Sequence, residues 1–70
     1  MPEFNDFWVF IKEVNYFFET GWILSEFAYC KKDKILTICF GTRELILHDA
    51  NEKDRDKAKE ICMIEVFKDV

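Results

Sequence analysis

The sequence predicts an α+β domain of order αβββα, a three-stranded antiparallel meander with both helices packed on one of its faces. Three observations carry this reading. Residues 4–18 repeat apolar side chains at helical spacing, and residues 22–47 alternate around two short turn signals. From residue 49 onward a capping sequence opens a charged run with no Gly or Pro. The 70 residues make one domain, 1–70. A chain this short buries only about 60% of its unfolded surface, so it gains much from a staple or a partner.

The first helix is expected from about Glu3 to Glu19. Pro2 suits a first helical position, Glu3 and Asp6 favour the positive end of the helix dipole, and Gly21 after Thr20 is a natural stop. At about 100° per residue, Phe4, Phe7, Trp8, Phe10, Ile11, Val14, Phe17 and Phe18 fill an arc wider than an ordinary core-facing stripe. Val9 and Tyr16 add a patch on the polar side. One edge of this helix is therefore surplus to a small core.

Strands are expected in `WILSEFAYC` and `ILTICF`, with a third after Gly41-Thr42. A two-residue turn at Lys32-Asp33 sets Phe27 opposite Ile38 and Tyr29 opposite Leu36. Gly41-Thr42 has the Gly-X form of a type II′ hairpin and sets Ile38 opposite Leu45 and Leu36 opposite Leu47. Both registers gather Phe27, Tyr29, Leu36, Ile38, Phe40, Leu45 and Leu47 on one face, and this agreement is what argues for the meander. In the last segment, Asp49 with Glu52 or Asn51 with Asp54 can cap a helix. Ala58, Cys62, Met63, Val66, Phe67 and Val70 would share a face if that helix runs on; the β-branched residues of `ICMIEVF` leave a fourth strand over 61–67 as the alternative.

Half the residues are apolar and 34% are charged, a globular composition. The net charge is −4, and residues 1–30 carry all of it: five carboxylates against Lys12 alone. All aromatics but Phe40 and Phe67 also precede residue 30. Acidic and aromatic together point to a protein-facing surface more than a nucleic-acid-facing one. No apolar run reaches a membrane-spanning length, and the acidic start is unlike a signal peptide. Cys30, Cys39 and Cys62 are odd in number and widely spaced, so a reducing, cytoplasmic setting is expected.

Complete chemical motifs are missing. Cys30 and His48 fall two strand spacings apart, about 10 Å, too far to share a zinc ion. Cys39 shares a row with Glu26 and Glu44, whose charges oppose a thiolate. Gly21 and Gly41 are the only glycines, so no phosphate loop exists. No catalytic residue, metal or cofactor is assigned. The order αβββα and the `RDKAK` opening of the last helix are loosely similar to the double-stranded-RNA-binding fold. That resemblance implies contacts to RNA shape from Lys31, Lys32 and Lys34 at the hairpin tip and Lys53, Arg55, Lys57 and Lys59 at the helix start. Asp54 and Asp56 interrupt those bases, which suits a solvated face with alternating ion pairs.

Two apolar surfaces are left over. One is the rear of the sheet, with Cys30, Ile35 and Ile46 among its members. The other is the spare edge of the first helix, with Trp8, Val9, Phe10, Tyr16 and Phe17. The expected function is a non-enzymatic intracellular interaction protein, a small acidic inhibitor or adaptor that binds another protein or homodimerises. The alternative is the nucleic-acid-binding module just described.

Overall fold

The computed structural model describes residues 2–65 and 67–70. The α+β class holds, but the sheet is larger than a meander. Its elements run β1 (Glu3–Phe4), α1 (Phe7–Glu19), β2 (Glu26–Cys30), β3 (Ile35–Phe40), β4 (Arg43–Leu47), α2 (Glu52–Ile61) and β5 (Lys68–Asp69). The sheet is five-stranded and mixed, in the order β1-β4-β3-β2-β5. The expected order αβββα is thus corrected to βαβββαβ.

The three central strands pair in the expected registers. Phe27 opposes Ile38, Tyr29 opposes Leu36, and across the second hairpin Ile38 opposes Leu45 and Leu36 opposes Leu47. The first turn differs in detail: Lys31–Lys34 form a four-residue loop with Lys34 at φ 55°, which preserves the register. Gly41 takes φ 64°, the left-handed region a tight hairpin needs there.

Two short parallel strands close the edges. β1 lies beside β4, with Glu3 opposite Ile46 and Phe4 opposite Leu47; β5 lies beside β2, with Ala28 opposite Lys68 and Tyr29 opposite Asp69. The first helix therefore does not start at Glu3. Ile46 N–H donates to the Pro2 carbonyl and His48 N–H to that of Phe4, so the open edge of β4 claims these residues. Asp6 then caps α1, accepting from Val9 N–H at 3.0 Å.

Strand directions explain why both helices share one face. β1, β2, β4 and β5 all run one way and β3 the other. The crossovers β1-α1-β2 and β4-α2-β5 both travel toward the β5 edge. Parallel crossovers are almost always right-handed, and two of the same hand and direction deposit their helices on the same side. The core forms there: Phe10, Ile11 and Val14 of α1 and Ala58 of α2 bury the seven expected sheet residues, with Ala50. Phe17 stacks on Phe40 at 5.0 Å, and Phe4 meets Phe10 edge-on at 5.7 Å.

Both helices end in the same hydrogen-bonded motif. After α1, Trp22 N–H donates to the Phe17 carbonyl and Gly21 N–H to that of Phe18, with Gly21 at φ 91°. Trp22 then packs on Phe17, ring centroids 5.4 Å apart. After α2, Ile64 N–H donates to the Lys59 carbonyl and Met63 N–H to that of Glu60, with Met63 at φ 57°. The last helix therefore stops at Ile61 without a glycine. The reading of a continuing helix is corrected, as is the alternative of a strand over 61–67, since β5 begins at Lys68; Val66 lies outside the described residues. Asn51, with Asp54, forms the capping box at the start of α2.

Met63 holds a conformation that costs an L-residue about 1–2 kcal/mol. Met63→Gly should stabilise the fold by about 0.5–1 kcal/mol after the glycine's entropic cost. A higher urea midpoint at unchanged slope is the expected reading; a lower one would contradict this helix stop.

Candidate protein-interaction surfaces

The sheet has a second face that neither helix covers. Its middle row crosses all five strands as Lys68, Ala28, Thr37, Ile46 and Glu3. The row toward the second hairpin holds Glu26, Cys39 and Glu44; the row toward the first holds Cys30 and Ile35. Ala28, Cys30, Ile35, Thr37, Cys39 and Ile46 are all half-buried. An antiparallel sheet with one wet face ordinarily alternates apolar-in with polar-out. β3 departs from this: it reads Ile-Leu-Thr-Ile-Cys-Phe, and two of its three outward residues, Ile35 and Cys39, are apolar. Carboxylates Glu3, Glu26 and Glu44 stand around this patch, and Lys68 is the cation at its β5 edge.

The outward side of α1 is the second surface, and here the expectation splits. Trp8, Val9 and Tyr16 are 63%, 54% and 56% exposed. Phe10 is fully buried against Phe4 and the sheet, and Phe17 is half-buried on Phe40. Both were assigned to the spare edge; Phe10 is a core residue, and Phe17 faces inward. The reason is Phe4: held in β1 beside β4, it packs edge-on against Phe10 and closes over that flank of α1. Sequence reasoning missed Ile23, which is 82% exposed beside Trp22 in the loop after α1. Its neighbours in `WIL` look like the beginning of a strand, and only the observed strand start at Glu26 places it outside.

The basic residues do not form one open patch. Arg55 is turned inward, its guanidinium 5.4 Å from the Tyr29 ring and 5.5 Å from Phe67, and it bonds Asp56. Its distance to Asp69 is 3.7 Å, so it also tethers β5. Lys59 lies 4.8 Å over Phe67, and Lys31 pairs with Glu52 at 3.1 Å. Lys32, Lys34, Lys53 and Lys57 are exposed.

Polar groups near the two faces have structural partners. Tyr29 donates its buried hydroxyl to the Ala50 carbonyl at 2.8 Å, tying β2 to the start of α2; burial, then the Glu52 charge, pushes its pKa up. His48 pairs with Glu3 across the β1–β4 edge. Burial first, then Glu44 and Glu26, raises the Cys39 thiol. All three cysteines are free thiols. Among the described residues, no three His, Cys, Asp or Glu side chains gather as a metal would need. Nor, among those residues, is any helix long and apolar enough to cross a membrane.

Comparison with protein-family models, with curated proteins and with solved structures yields no match to this chain.

Burial pushes the Cys62 thiol up to about 11 from 9.0. A raised thiol pKa means that folding favours the neutral form. Its contribution is complete below the ordinary value and is lost as pH climbs through the folded one. Because only the thiolate reacts, iodoacetamide at pH 8 should modify Cys62 about 100-fold more slowly than an unstructured cysteine. The rate should keep rising up to about pH 11. A plateau near pH 9 would contradict this burial.

Proposed function

We propose that this chain is a non-enzymatic interaction protein, a small acidic inhibitor or adaptor that binds another protein through the bare face of its sheet. One observation carries the reading: the outward face of the central strand holds Ile35 and Cys39 around Thr37, more apolar than a solvated face ordinarily is, and among the described residues only the opposite face is covered by helices. Strands with that pattern are ordinarily sandwiched. Here the second layer would come from the partner.

The chemistry of the face describes what it would take. An apolar centre of Ala28, Ile35 and Ile46, with Thr37, Cys30 and Cys39, favours a flat, apolar counterpart. The rim of Glu3, Glu26 and Glu44 favours lysines or arginines at that counterpart's margin. Three central strands of five or six residues, flanked by two-residue edge strands, present a footprint of at most roughly 20 by 17 Å, or about 300 Å². A stable interface buries about 800 Å² per partner. The carboxylate rim must therefore take part in the contact. Three free thiols suit a reducing compartment. The nucleic-acid reading is less well supported, because Lys31, Arg55 and Lys59 are engaged within the chain.

A photoreactive benzophenone amino acid placed at Thr37, in the cells that make this protein, should give a discrete protein adduct. The same group at Lys57, on exposed α2, should give none. Ile35→Lys, which keeps the core intact, should abolish the Thr37 adduct. Equal adducts from both positions, or none from Thr37, would overturn the assignment of the sheet face. Salt-sensitive retention of duplex RNA would favour the basic residues instead.

A further inference from the structure

We propose that the outward face of α1 is a self-association surface, on which a second copy of this chain docks helix against helix. This surface lies on the opposite side of the molecule from the bare sheet face and does not depend on the reading given to it.

The geometry is a ridge between two grooves. Trp8, Lys12 and Tyr16 follow one another at four-residue spacing on the exposed side of α1. On one flank lies a shallow depression of about 240 Å³ walled by Phe4, Val9 and Glu13; on the other lies one of about 420 Å³ walled by Ile11, Asn15 and Glu19. Lys12 borders both. Helices pack by laying such four-residue ridges into each other's grooves, crossing at about −50° with axes about 8–10 Å apart.

Charge selects a like copy as the occupant. Lys12 is the single cation of residues 1–30, and each groove has a carboxylate in its wall, Glu13 or Glu19. Among the described residues, none of these three has an ion-pair partner within its own chain. A two-fold related copy brings its Lys12 into a groove, beside the carboxylate that lacks a cation. It also brings Trp8 and Tyr16 onto the apolar wall made by Val9 and Phe4. Each copy supplies what the other lacks, as an isologous contact requires.

Sedimentation equilibrium from micromolar to millimolar concentration tests this. The wild-type chain should shift from monomer to dimer mass. Lys12→Glu, exposed and expected to keep the circular dichroism of the wild type, should weaken association at least about tenfold. A Glu13→Lys, Glu19→Lys double variant should likewise stay monomeric. Mixing these two variants should restore dimer mass, because their charges are complementary, whereas a merely damaged helix would not be rescued. Ile35→Lys on the sheet face should leave the wild-type dimer unchanged. A monomer at every concentration would overturn the proposal. So would a dimer indifferent to Lys12→Glu, a mixture that stays monomeric, or a dimer lost on Ile35→Lys.

Discussion

The central strand sets the constraint from which the rest of this molecule follows. β3 runs against its four parallel companions and carries apolar residues on both faces, Leu36, Ile38 and Phe40 on one and Ile35 and Cys39 on the other, so each side favours a covering layer. The described residues supply one. Its two crossovers have the same direction, and crossover handedness then commits both helices to the same side. No rearrangement of side chains can move a helix to the other face without reversing a crossover. The bare face is thus a consequence of topology rather than of a missing residue.

The covering layer is itself unequal. α1 delivers Phe10, Ile11 and Val14 to the core, while α2 delivers Ala58 alone among fully buried residues. α2 is held instead by contacts at its ends and along Arg55. The Tyr29 hydroxyl fixes the Ala50 carbonyl before the helix begins. The Arg55 guanidinium lies against Tyr29 and Phe67, and it reaches toward Asp69 on β5. Cation–aromatic contacts of this partly desolvated kind are worth about 1–2 kcal/mol, a sizeable share in a domain of marginal stability. The same arginine that a basic-patch reading would turn toward phosphate is therefore part of what holds the C-terminal edge of the sheet.

What could be read from the sequence was whatever repeats or punctuates. The period-two alternation through Phe27 and Leu47, checked by two turns, identified the core face residue by residue. Gly21 marked the end of α1 correctly. The two edge strands escaped because two residues have no periodicity; Glu3 and Phe4 look like a helix start until the open edge of β4 is seen. The end of α2 escaped because its left-handed residue is Met63, and only a glycine would have announced it. Phe10 escaped for a related reason: Phe4 sits in β1 rather than in the helix and covers Phe10, which leaves Trp8, Val9 and Tyr16 outward. The apolar residues on the rear of the sheet, by contrast, were legible in `ILTICF`, although the topology that leaves them bare was not.

The separation of the two faces can be measured directly. A soluble paramagnetic chelate added to methyl-labelled protein broadens the signals of methyl groups that solvent reaches. At dilutions where the chain is monomeric, the methyls of Ile35 and Ile46 should broaden strongly, while those of Leu36, Ile38, Leu45 and Leu47 stay sharp. A one-residue slip of β3 would turn Ile35 inward and Leu36 and Ile38 outward. Sharp Ile35 and Ile46 beside broadened Leu36 and Ile38 would contradict the account.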